Sequence, residues 1–268
     1  MTRIIDFHTH AFPDSLALRA MEALSSGAED WPACHDGTIG GLLRSMDEAG
    51  IDSAVVCSIA TKPTQERPIL EWSKSIASHR IIPFISLHPN GAARDQEDLL
   101  DKAVDAGIKG VKFHCMYQNF AADEERVYRM YEAIAERGLI ALFHAGFDIC
   151  WPESDVVSPA RLLKVHRRVP NLRMVAAHYG GWRMWEEVAE KLAGEEIYFD
   201  TAFTLGQIKD ETWDKIWNRH SPDRILFATD SPWMDQKKDL ERLREKVGTG
   251  EAFNKLASQN ASKLLGLE

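Results

Sequence analysis

A chain of 268 residues, 44% hydrophobic and 27% charged, has ample material for a buried core and fits one large α/β domain or two small ones. Its net charge of −9, with no block of Lys or Arg, argues against nucleic acid or an anionic membrane as a partner. No apolar stretch approaches the roughly 20 residues needed to span a bilayer.

The first apolar run, RIIDF at 3–7, begins so early that no signal peptide is expected, and it leads directly into His8-Thr9-His10. Similar short β-branched runs follow: SAVVCSI at 53–59, IIPFISL at 81–87, GVKFH at 110–114 and LIALFH at 139–144. LRMVAAH at 172–178, IYFDTA at 197–202 and RILFATD at 224–230 complete the set. Several are apolar throughout, as expected for parallel strands covered on both faces. Between them lie amphipathic segments. EDLLDKAVDAG (97–107) and ERVYRMYEAIAERG (125–138) both stop at glycine, and SPARLLKVHRRVP (158–170) opens on Ser-Pro and stops before Pro170.

Eight strands, each followed by helix-forming sequence, predict a single-domain (β/α)8 TIM barrel of class α/β spanning 1–268. The rival, a doubly wound open sheet, lacks a GxGxxG after the first strand. The long first βα segment, 11–38, is expected to fold over the top, and 250–266 to form an extra C-terminal helix closing the bottom or flank. The cysteines Cys34, Cys57, Cys115 and Cys150 show no CxxC spacing, which suits a reduced, cytoplasmic protein.

In such a barrel the catalytic groups gather where strands finish. Those positions hold His8 and His10, His88, Lys112 and His114, His144, His178 and Asp230. The HxH pair alone is weak evidence, since random placement of ten His gives roughly 0.4 such pairs per chain. The concentration of imidazoles at strand ends is the stronger signal. Strand alternation turns His8 and His10 to one side, about 6.7 Å apart, within reach of a common ion, and His144 and Asp230 would complete a His3Asp shell. The same parity puts Lys112 and His114 on one face, and suggests an inward Asp6, or Asp200, as partner for a buried Lys112. His79, His166 and His220 fall in or beside predicted helices, and His35 is unassigned.

DFHTH at 6–10, FHAG at 143–146, AHYGG at 177–181 and FATDSPW at 227–233, in this order, resemble the metal-dependent amidohydrolase superfamily. The nearest likeness is to its amidohydrolase-2 branch, which includes the aminocarboxymuconate semialdehyde decarboxylase-like enzymes. The resemblance implies one divalent metal, zinc first and manganese as the alternative, held by His8, His10, His144 and Asp230. It also implies that Asp230 and His178 are catalytic, with His178 near the open coordination position. A binuclear site bridged by a carboxylated Lys112 is the less favoured arrangement.

The leading expectation is a hydrolase that uses metal-activated water on a small carbonyl substrate such as a lactone, ester or amide. The alternative is nonoxidative decarboxylation of an aromatic or unsaturated acid, with Arg67, Arg94 or Arg183 as candidate carboxylate grips. A non-catalytic metal-binding scaffold or sensor is the reading from another class. A deaminase is disfavoured by the missing HxE and PCxxC pair. Expected pocket residues are His114, Lys112, His88, Trp31, Tyr117, Trp151, Tyr179 and Trp233, with Phe147 and Trp182 on the same post-strand loops. The expected partner is a small molecule, a carboxylate among the options. A homodimer is compatible with the sequence, but no motif marks an interface.

Overall fold

The computed structural model describes residues 3–25 and 31–267. Among the described residues eight parallel strands run β1 (Ile5–Thr9), β2 (Ser53–Cys57), β3 (Ile81–Phe84), β4 (Gly110–Phe113), β5 (Ile140–Phe143), β6 (Arg173–Ala176), β7 (Tyr198–Asp200) and β8 (Ile225–Leu226). Continuous ladders join β1-β2-β3 and β4-β5-β6-β7-β8. The two arcs meet through an Ile85–Val111 bridge on one side and a Thr9–Ser231 bridge on the other. Phe7 N also donates to Phe227 O (2.9 Å) and Asp230 N to His8 O (2.8 Å). These seams close the sheet into a TIM barrel, which excludes the open doubly wound alternative.

The strands are shorter than the apolar runs that announce them. β8 keeps only Ile225–Leu226 of the run 224–230, because the remainder leaves the ladder to carry Thr229 and Asp230 to the mouth.

The outer helices are α1 (Asp14–Ser25), α2 (Ile39–Ala49), α3 (Glu66–Ile76), α4 (Ala93–Asp105), α5 (Tyr128–Glu136) and α6 (Pro159–Arg168). They continue with α7 (Trp185–Lys191), α8 (Asp210–Trp217), α9 (Gln236–Val247), α10 (Glu251–Asn254) and α11 (Asn260–Leu265). Local chemistry sets several boundaries. The Thr38 side chain accepts from Gly41 N at the start of α2, Gly50 ends it in the left-handed region, and Asp235 caps α9 through Lys237 N and Lys238 N. α1 lies inside the long segment expected over the top, of which residues 26–30 fall outside the described residues.

Two apolar layers result. Outward side chains such as Val111, Phe113, Phe143 and Met174 pack beneath the helices. Inward ones, including Phe7, Val55, Leu142 and Val175, fill the barrel together with Ala261, Leu264 and Leu265 of α11. The C-terminal helix thus closes the bottom, against Ile5 at the start of β1. Among the described residues no helix is long and apolar enough to cross a membrane.

Candidate metal centre

The site begins with an irregularity in β1. Its register against β2 shifts between Asp6 and Thr9. Phe7 belongs to the barrel interior, edge-on to Phe84 at 5.9 Å, yet His8 beside it also enters the mouth, with its ring 5.1 Å from that of His10. Strict alternation therefore fails at this point, and with it the expected inward Asp6. Asp6 accepts from Thr229 Oγ1 (2.6 Å) and from Gln236 Nε2 of α9 (2.8 Å), away from Lys112. Lys112 Nζ instead lies 2.8 Å from His8 Nε2, and Asp200 meets the other side of that ring, Oδ2 to Nδ1 at 3.0 Å.

Partners on the outer side of each ring decide what the inner nitrogen can do. His10 Nδ1 donates to Cys57 O (2.9 Å) and His8 Nδ1 to Asp200 Oδ2 (3.0 Å). His178 Nδ1 donates to Ala202 O (2.9 Å) and His144 Nε2 to Phe147 O (2.9 Å). A carbonyl oxygen only accepts, so each neutral ring turns a lone pair inward: Nε2 of His8, His10 and His178, and Nδ1 of His144.

Two of these lone pairs meet another acceptor. His10 Nε2 lies 3.1 Å from Asp230 Oδ1, and His178 Nε2 lies 3.0 Å from His144 Nδ1. Such contacts are favourable only with a proton or a metal ion between the atoms. His8, His10 and Asp230 each bring one donor atom to within 4.8 Å of the others. The donor set and its tautomers therefore fit a divalent metal of the kind that takes imidazole and carboxylate.

The electrostatics agree. Burial pushes His8 down to about 4, aided by the Lys112 charge and only partly opposed by Asp200. Burial likewise carries His144 well below the ordinary imidazole range, with His114 and His178 adding to the effect. Burial would raise Asp230, but its contact with His10 and the fields of His8, His10 and His178 hold it well below the usual carboxylate range. Burial also lowers Lys112. Strained backbone serves the same place: His178, Tyr179 and Asp230 have φ of 60°, 56° and 70°, a region such residues occupy at a cost.

His144 does not join the His8–His10–Asp230 set. It stands with His178 and, on its other side, stacks on His114 at 4.1 Å. His114, His144 and Asp148 form a second close group, in which His114 Nε2 lies 3.3 Å from Asp148 Oδ2. The sequence reading missed Asp148, although its place four residues after His144, in FHAGFD, was a usable signal. Gly146 makes the loop feasible. With φ of 85° it sits so close to Trp182 that an added Cβ would lie 2.3 Å from Trp182 N, and the tight turn brings Phe147 O back onto His144. His35 is a brace behind the centre: its Nε2 donates to Ser231 Oγ (3.0 Å) and its Nδ1 accepts from Gly37 N (3.2 Å).

A cavity of about 630 Å³ opens above the imidazoles. Lys112, His114, Tyr117, Trp182 and Trp233 line it, as do His8, His10, His144, His178 and Asp230. Four expected wall residues are elsewhere. Tyr179 is driven outward by its left-handed backbone and stacks on Trp213 at 4.3 Å. His88 turns back on its own loop, its Nδ1 accepting from Asn90 N. Trp31 packs on Phe203 at 4.8 Å, and the half-exposed Trp151 stands edge-on to Tyr117 behind the wall. Arg67 faces Asp98 and Arg183 covers the Trp182 ring, and neither these nor Arg94 reach the cavity.

Solved structures with this fold include an uncharacterised TIM-barrel protein from Bordetella bronchiseptica, 18% identical with a TM-score of 0.79 over 98% of both chains. A 5-carboxyvanillate decarboxylase from Sphingomonas paucimobilis is 15% identical with a TM-score of 0.74 over 99% of both chains. A dihydroxybenzoic acid decarboxylase from Polaromonas sp. JS666, solved with manganese and an inhibitor, is also 15% identical with a TM-score of 0.74, over 100% of this chain and 98% of that one. No curated protein matches the sequence. The amidohydrolase family model, by contrast, matches residues 5–267. The chain belongs to this amidohydrolase-2 family of metal-dependent enzymes.

Proposed function

We propose that the protein is a metal-dependent hydrolase of a small carbonyl compound, an ester, lactone or amide. The observation that carries this reading is the protonation pattern of the mouth. The outer nitrogens of His8, His10, His144 and His178 each meet an acceptor, so in its neutral form each ring offers its inner nitrogen as a lone pair to the cavity that Asp230 also lines. A site built of proton acceptors suits a reaction that begins by removing a proton from water. Decarboxylation replaces carbon dioxide by a proton on carbon and needs a donor instead; Lys112 is the candidate donor on the cavity floor, and it is already engaged with His8.

His8, His10 and Asp230 would hold the metal, and His144 and His178 line the same cavity. When bound, a divalent ion supplies Lewis-acid polarisation and an acidified water. Asp230 accepts a proton at its free carboxylate oxygen. His178, fixed through Ala202 O, keeps its Nε2 lone pair towards the substrate, where it takes over the proton that Asp230 removed and hands it to the leaving group. Zinc is the favoured metal, in one equivalent; two equivalents would favour a centre that also uses Lys112.

The experiment is metal analysis of the purified protein followed by a panel of esters, lactones, amides and unsaturated carboxylic acids. Hydrolysis lost in both Asp230→Asn and His178→Asn supports the reading. Release of carbon dioxide from an acid overturns it in favour of decarboxylation, the reading favoured by the names of two solved structures of this fold. Activity untouched by both variants would leave a metal-binding scaffold.

A further inference from the structure

Helix α1 has two apolar faces. Ala17 and Met21 are buried against the protein, at 2% and 8% exposure. A second stripe, Leu16, Ala20, Ala23 and Leu24, follows the three-and-four spacing of one helix side and lines the cavity, with Leu16 still 44% exposed. Opposite it, α3 buries Leu70 and Ser73 while Pro68, Ile69 and Trp72 line the same cavity. A surface helix needs one apolar face to pack on its own protein. Two neighbouring helices that each turn a further apolar face to a shared space form a gallery leading to the imidazole floor.

The gallery carries one guanidinium. Arg19 lies within the cavity-facing stripe of α1, and among the described residues no carboxylate or carbonyl pairs with it. Many other arginines on this surface are matched, as Arg44 with Asp36, Arg137 with Asp101 and Arg161 with Asp123, and of the arginines without a carboxylate partner Arg19 is the one that lines the cavity. In a chain of net charge −9, an unmatched arginine over an apolar cavity is a place for an anion brought by the ligand.

Resting on the hydrolase reading, we propose that the substrate is an amphiphile: a hydrolysable carbonyl at the imidazole floor, an apolar body between α1 and α3, and an acidic group at Arg19. The apolar stripe sets the length and girth of the body, and Arg19 selects acids over neutral compounds.

The test compares suberate monomethyl ester with methyl octanoate, and the methyl-ketone analogue of the first with a neutral ketone of equal length. The ketones are not hydrolysed, so their binding is followed by the fluorescence of the cavity tryptophans Trp72, Trp182 and Trp233. The keto acid should bind about tenfold more tightly than the neutral ketone. Arg19→Gln should erase that preference and leave the neutral ketone unchanged, while Ala20→Trp, which fills the gallery, should weaken both. Equal binding of the two ketones to the wild-type protein, or binding indifferent to Ala20→Trp, overturns the proposal. Binding as expected without hydrolysis of the ester keeps the gallery and removes the hydrolase reading, so the two failures are distinguishable.

Discussion

Two groups of the same composition, two histidines and one aspartate, stand side by side in this barrel, and they are not equivalent. In the first, His8 and His10 each spend the outer nitrogen on an acceptor, Asp200 or Cys57 O; the inner nitrogen of His10 lies 3.1 Å from Asp230, and that of His8 lies 2.8 Å from Lys112 and 3.5 Å from Asp230. In the second, His144 spends Nε2, the nitrogen 4.0 Å from Asp148, on Phe147 O, and His114 donates from Nε2 to Asp148. The first group is short of a positive charge at its middle. The second already supplies its carboxylate with an N–H from His114, while His114 Nδ1 has no hydrogen-bond partner and His144 Nδ1 faces His178 rather than Asp148. Proximity of donors is thus insufficient to define a metal site; the far side of each ring decides whether the near side can bind.

The largest effect expected from this contrast is on catalysis. Asp230→Asn should abolish metal binding and lower kcat/KM by about a thousandfold or more. Asp148→Asn should keep the metal and change kcat/KM by less than about tenfold. A reversed ranking, read by metal analysis and steady-state kinetics, would exchange the roles of the two groups.

Next comes stability on loading. Metal at about a thousand times its dissociation constant adds about 4 kcal/mol, a rise in Tm of several degrees. The rise should vanish in His10→Ala and persist in His114→Ala, as followed by calorimetry. A smaller effect tests the outer partner itself: Asp200→Asn leaves every inner donor in place yet should weaken metal affinity about tenfold, by loosening His8.

The smallest effect lies outside both groups. His220 is buried, stacked on Phe199 at 3.9 Å, and held down to about 4, by burial first and by Arg224 second. Its folded value lies below the ordinary 6.5, so its contribution is present above that pH and is lost as pH falls from 6.5 towards 4. Urea unfolding should show His220→Gln losing about 1–2 kcal/mol less than the parent between pH 7 and 4.5. Equal losses would mean that protonated His220 is accommodated in the fold.

Much of the architecture was legible in the chain itself. The eight apolar runs alternate with helical segments as a parallel barrel requires, and six of the eight runs end on or lead directly into a His or Asp at the face where such barrels do chemistry. The identities of His8, His10, His144, His178 and Asp230 follow from that rule. Asp6, Tyr179 and His88 show where the rule stops: a register shift in β1, a left-handed backbone at 178–179 and a loop turned on itself each redirect a side chain without changing the residue pattern.

What the sequence alone determined was the barrel, its polarity and the stock of metal-binding side chains, because period-two and helical hydrophobic patterns are local properties of a chain. Only the tertiary structure decided which nitrogen of each ring faces inward, which of two similar triads is short of a cation, and that α1 turns an apolar face and Arg19 to the cavity. Those outcomes depend on backbone carbonyls such as Cys57 O, Phe147 O and Ala202 O, which every residue possesses and no sequence pattern distinguishes.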